Sequence, residues 1–127
     1  MKVIKAPNKF NPNPRTIFLG GSIEMGKAEN WQERLVKEFT NTDLTFLNPR
    51  RDDWDSSWTQ SIDNPQFYEQ VTWEQEALHF SDIIIIYFDP ATMSPISLLE
   101  LGLFASSGKL IVCCPEGFWR KGNVELS

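Results

Sequence analysis

The run DIIIIYF, residues 82–88, carries four consecutive isoleucines with no polar residue among them. Successive side chains of a strand point to opposite faces, so a strand with one wet face alternates apolar and polar residues. A run that is apolar on both faces predicts a strand covered on both sides, as in a parallel sheet flanked by helices. Three further runs read as strands: TIFL (16–19), LTFL (44–47) and KLIVCC (109–114). Helical patterns separate them. Trp31, Leu35 and Phe39 share one face of a first helix, and Pro65 suits the first turn of a second, over about 65–80. Ser94-Pro95 reads as the N-cap and first residue of a third helix that stops near Gly108. The alternation predicts an α/β, doubly wound parallel sheet of four to five strands, flavodoxin-like or Rossmann-like, with helices on both faces. Counting the four runs in sequence, the expected order is 2-1-3-4, with a fifth strand after the fourth.

A chain of 127 residues makes one domain with a sizeable core. We assign it to residues 16–127 and read the Pro- and Asn-rich residues 1–15 as an irregular arm. No run approaches the length of a membrane-spanning helix, and the opening residues lack the apolar stretch of a signal peptide. Cys113 and Cys114 are adjacent and would point to opposite faces of a strand, which argues against an internal disulfide. A reduced, cytoplasmic protein is therefore expected. The net charge of −5 supplies no basic surplus to displace counterions, so nucleic acid polymers are disfavoured as partners. A small nucleotide needs only a few local donors. The single histidine, His79, suits the end of the second helix, and no spacing suggests a metal site.

The connections are unequal. Helix-to-strand links are brief, whereas strand-to-helix links are long: GGSIEMG, NPRRDDWDSSWTQSIDNP, DPATMSP and PEGFWRKGN. In a parallel sheet these all gather at the carboxyl ends of the strands, where open α/β sheets bind ligands. The expected strand order brings Gly20, Gly21 and Ser22 beside the loop from Asp89 to Ser94.

Two carboxylates interrupt helical patterns near that edge. Ser97, Glu100, Phe104 and Ser107 form a narrow stripe on a helix otherwise covered by Ile96, Leu98, Leu99, Leu101 and Leu103. Either Glu100 marks the solvent face or it enters a site. On the second helix Glu74 fills the gap in the apolar stripe of Phe67, Val71 and Leu78, where an ionised group is costly unless it lines a cavity or reaches water at the stripe's edge. Two acids facing one cavity suit glycosidic bond chemistry, in which one carboxylate attacks the anomeric carbon and the other handles protons. Asp82, at the other end of the sheet, is expected to be structural. The loop NPRRDDWDSSW offers either mutual salt bridges and turns, or Trp54 or Trp58 to stack on a base with Arg50 or Arg51 near a phosphate. Phe118 and Trp119 offer a lid or plain packing.

FLGGSIEMG, DIIIIYFDPATMSPISLLELGLFASSGK and CCPEGFWRKGNV together resemble the nucleoside 2-deoxyribosyltransferase-like superfamily, over about Thr16 to Val124. The resemblance implies that Glu100, in ELG, is a nucleophile that attacks C1′ of a 2′-deoxynucleoside and holds a covalent glycosyl intermediate. It implies that Glu74, standing where transferases carry an aspartate, handles the base and its proton. GGSIEMG is similar to the GSI loop of the related deoxynucleoside 5′-monophosphate N-glycosidases, and Ser94 stands where those enzymes carry a phosphate-contacting serine, whereas the free-nucleoside transferases commonly carry an aspartate there. The sites expected are thus Glu100 and Glu74 for catalysis, and Gly20, Gly21, Ser22, Arg50, Trp54, Asp89, Ser94 and Ser97 for substrate. The resemblance also implies a homo-oligomer and needs neither metal nor organic cofactor. A non-catalytic nucleotide-binding module is the competing expectation, since fold alone does not establish chemistry.

Overall fold

Among the described residues, five strands form one parallel sheet in the order β1-β3-β2-β4-β5. They are β1 (Lys2–Lys5), β2 (Thr16–Gly21), β3 (Thr45–Asn48), β4 (Ile83–Tyr87) and β5 (Leu110–Cys113). Among the described residues the helices are α1 (Trp31–Lys37), α2 (Pro65–Phe80), α3 (Pro95–Phe104) and α4 (Lys121–Leu126). The computed structural model describes residues 1–11, 15–23, 30–51 and 60–127.

The four strands read from the sequence lie in the expected order, but the fifth does not follow the fourth. It is N-terminal and lies on the opposite edge, where Val3 pairs with Phe46 and Ile4 with Leu47. The residues read as an irregular arm therefore open with a strand. Its signal is weak because only Val3 and Ile4 are apolar, between two lysines, and prolines follow. Flanking charge of this kind is how edge strands avoid pairing with other chains. Helix α4 likewise stands beyond the sequence reading, within and after the last loop.

Right-handed crossovers place α1 on one face of the sheet and α2 and α3 on the other. The period-2 alternation follows this division. Phe18, Leu47, Ile84, Ile86 and Phe88 pack against Trp73, Ala77 and Leu78 of α2, Leu101 of α3 and Val124 of α4. Ile17, Leu19 and Phe46 point the other way, onto Trp31 and Val36 of α1, with Ile85 and Tyr87 alongside. The isoleucine run of β4 thus divides between two cores, as its lack of alternation predicted.

Local chemistry fixes the element ends. Asn64 caps α2, its Oδ1 accepting from the backbone N–H groups of Gln66 and Phe67 at 3.0 and 3.2 Å. At the far end Lys109 Nζ donates to the carbonyls of Leu78 and His79, satisfying two orphan acceptors of the last turn. Asp82 is structural: its Oδ2 accepts from the Thr16 backbone N–H at 2.9 Å, tying the start of β2 to β4. No described helix is long and apolar enough to cross a membrane.

Candidate active site

At the carboxyl ends of β2, β3 and β4 lies a cleft of about 580 Å³. It is walled by Gly21–Ile23 at the end of β2, Pro49–Arg51 after β3, Gln60, one face of α2 and the N-terminal half of α3. It lies where the order reverses, since β2 leads outward to β3 and α2 crosses back to β4.

The junction of β2 and β4 is closed by Gly21 and Ser22. Gly21 adopts φ 125°, and a Cβ there would stand 2.3 Å from the Tyr87 carbonyl oxygen. Any side chain at this position would collide with the neighbouring strand. The Ser22 backbone N–H then donates to the Tyr87 carbonyl at 2.9 Å, and its Oγ accepts from the Asp89 backbone N–H at 2.8 Å. The Thr92 hydroxyl donates to Ser22 Oγ at 2.9 Å, and Ser94 Oγ bonds to both hydroxyls. These three buried hydroxyl groups form one cluster, of which Ser22 and Ser94 reach the cleft. Ser94 occupies the N-cap position of α3 as expected but does not cap it. Its backbone is left-handed, φ 48°, and its hydroxyl turns to the cluster instead. A non-glycine residue held there stores backbone strain, of the order of 1 kcal/mol.

Helix α3 is turned inside out. Ser97, Glu100 and Leu101 are buried, while Ile96, Leu99 and Leu103 are exposed. Glu100 is only 4% exposed and lines the cleft, so it does not mark a solvent face. On α2, Phe67, Val71 and Glu74 line the cleft while Leu78 continues into the core. The stripe read from the sequence is therefore half core and half cleft wall, and Glu74 lies on the wall.

Burial raises the Glu100 carboxyl from 4.5 to about 8, with the neighbouring Glu74 charge as the second cause. Burial raises Glu74 to about 7, partly opposed by a hydrogen bond from Gln70. Burial and the closeness of the two groups disfavour the doubly charged form, so ionising one carboxyl opposes ionising the other. The cationic side is supplied by Arg50 and Arg51. Gln32 Oε1 accepts from Arg50 Nε at 3.3 Å, and Arg51 pairs with Glu69 at 3.2 Å. Burial lowers the pKa of the Arg50 guanidinium.

Of the residues singled out in the sequence, Glu74, Glu100, Gly21, Ser22, Arg50, Ser94 and Ser97 meet around this cleft. Gly20 does not: it lies within β2, where a Cβ would stand 3.0 Å from the Phe18 ring. Asp89 does not line it either. Its carboxylate turns onto its own loop, where Oδ1 accepts from the Ala91 N–H at 2.9 Å. Trp54, like Trp58, lies outside the described residues. Phe118 is no lid, because it is buried against Phe88 with ring centroids 4.8 Å apart. Trp119 is half exposed and donates to the Met93 carbonyl at 2.9 Å.

Sequence reasoning missed Gln70, Gln32 and Thr92. Gln70 could have been found, since it stands four residues before Glu74 and so shares its helix face. Gln32 is fully buried beside Trp31, and no periodicity distinguishes it from a surface glutamine.

Residues 14–118 match a family model described as nucleoside 2-deoxyribosyltransferase like. A search of curated proteins found no match.

Proposed function

The chain belongs to the nucleoside 2-deoxyribosyltransferase-like family, and from that premise we propose that its cleft cleaves or transfers the N-glycosidic bond of a 2′-deoxynucleoside. The observation that carries this reading is a pair of poorly hydrated carboxyl groups, on two different helices, lining one cleft. The Glu100 carboxylate attacks C1′, forming a C1′–O ester as the C1′–N bond breaks. The bond's electron pair leaves on the base nitrogen, which takes the proton held by Glu74. A second base, or water, then attacks C1′, gives its proton to Glu74 and releases Glu100. The double displacement starts from the form of the pair in which Glu74 carries the proton and Glu100 is ionised. The apolar wall of Ile23, Phe67 and Val71 gives a base a surface to lie against, and the water it excludes decides between transfer and hydrolysis.

Glu100→Gln tests this reading. Incubation with a deoxynucleoside and a second free base, followed by chromatography, reads base exchange or release. The substitution should lower turnover at least about a thousandfold while ligand binding persists. A wild-type protein that binds deoxynucleosides and their monophosphates without ever releasing base would leave a binding module and sink the catalytic reading.

A second reading, a deoxynucleoside 5′-monophosphate N-glycosidase, is supported by the hydroxyls of Ser22 and Ser94 at the N-terminus of α3. There hydroxyl and backbone N–H donors suit an anion. Ser94→Ala separates the two. A hydrogen bond to a charged group is worth about 1.5–3 kcal/mol, so kcat/KM for a 5′-monophosphate should fall at least about tenfold while the free nucleoside is spared. Equal losses on both substrates favour the nucleoside enzyme.

The expected homo-oligomer is part of the same proposal. Leu99 and Leu103 lie on the outer face of α3 and Ile96 at the rim of the cleft, each more than half exposed. Met93 and Trp119 extend this surface, joined by their hydrogen bond. Together they offer the apolar centre of an interface that buries about 800 Å² per partner in a stable dimer. A second copy is the occupant we assign to it.

A further inference from the structure

Gln70 is buried on α2, one turn before Glu74, and it lines the cleft. Its Nε2 donates to Glu74 Oε1 at 2.8 Å and to the Pro49 carbonyl, just beyond β3, at 2.8 Å. Both N–H groups are thereby committed to acceptors. Reversing the amide would set oxygen against a carbonyl and a carboxyl, so the surroundings fix its orientation. Gln70 Oε1 is left buried without a hydrogen-bond partner. An unsatisfied buried acceptor costs stability, and an apolar residue of the same length would avoid that cost. What an apolar residue could not supply is the tie to Glu74.

We propose that Gln70 is the positioning residue for Glu74, fixing the carboxyl against the loop after β3 so that it faces the cleft. The inference rests on the proposed reaction only for its catalytic consequence; the tie itself is a property of the folded protein. Gln70 donates to the charged form of Glu74 more strongly than to the neutral form, so losing it disfavours ionisation. The other charged side chains lining this cleft among the described residues are Glu100 from α3 and Arg50 and Arg51 from the loop, Arg51 being paired with Glu69. None of them is altered by a change at residue 70.

The test is a titration of protein carrying ¹³C-labelled glutamate and ¹⁵N-labelled glutamine, followed by NMR. The Glu74 carboxyl resonance is assigned by its disappearance in Glu74→Gln. In the wild type the Gln70 side-chain amide should follow the same midpoint as Glu74. In Gln70→Met, which keeps the length and loses both hydrogen bonds, the Glu74 midpoint should rise by about one unit. The limb of the pH–rate profile that Glu74 governs should move with it when base release is measured. An unchanged midpoint in a folded Gln70→Met protein, or a wild-type amide that ignores the titration, overturns the proposal. Should Gln70→Met not fold, the wild-type amide alone decides. Should the wild type release no base, the proposed reaction fails while the two titrations still decide whether Gln70 holds Glu74.

Discussion

Replacing Glu100 with glutamine should make the protein more stable in alkali while leaving it almost unchanged in mild acid. The carboxyl rises from 4.5 to about 8 on folding, chiefly through burial. Between those values the native state holds a proton that the unfolded chain has released. Stability therefore falls as pH rises through that window. Below 4.5 both states are protonated and the penalty vanishes; above 8 it is complete. A gap of about 3.5 units at 1.36 kcal/mol each sets a ceiling of about 5 kcal/mol. Local relaxation and the cost of burying the glutamine amide reduce this, so a gain of about 2–3 kcal/mol at pH 9 is expected. Urea unfolding of wild type and variant from pH 5 to pH 9 reads it directly. The curves should nearly meet at pH 5, diverge steadily from there to about pH 8 and keep a constant gap above it, because the variant lacks the slope due to Glu100. Parallel curves, or a variant no more stable than wild type at pH 9, would refute the claim that Glu100 is held in a poorly hydrated place.

Two further outcomes follow from the geometry. Gly21→Ala should destabilise the protein by about 3 kcal/mol or more, read as a lower urea midpoint, because the new methyl meets the Tyr87 backbone at a φ that alanine avoids. Leu99→Glu combined with Leu103→Glu should leave the fold intact and convert the assembly to monomers in sedimentation velocity; a wild type that is already monomeric removes the basis for that expectation.

The sheet was legible because its signals are local and strong. Four isoleucines in a row point to a strand covered on both faces, and Pro65 and Pro95 to helix starts, whatever surrounds them. Strand β1 was not legible, since a two-residue apolar signal between lysines becomes a strand only once β3 offers it a partner. The carboxylates could be read as anomalies of periodicity, and the structure resolves each by depth. Glu100 and Ser97 face inward because the first half of α3 borders the cleft while Leu101 reaches the core, which leaves Leu99 and Leu103 outside. Position in a stripe cannot say which side of a helix the protein occupies when the helix overhangs a cavity. Asp89 and Gly20 stand out in the sequence for their loops rather than for their directions. One carboxylate folds back on its own backbone, and one strand position faces the interior. A buried amide such as Gln32 leaves no trace in a hydrophobic pattern, because its partner Arg50 is far away in the chain.

Strand β1 begins at the second residue and forms the outer margin of the sheet. Anything fused ahead of Met1 would continue directly from a strand that, among the described residues, has no strand on its outer side. A leader of alternating β-branched residues would lengthen that margin and invite molecules to zip together. A proline or a cluster of like charges in the linker would stop the extension. Affinity handles for this protein should therefore be chosen for their backbone behaviour as much as for their capture chemistry.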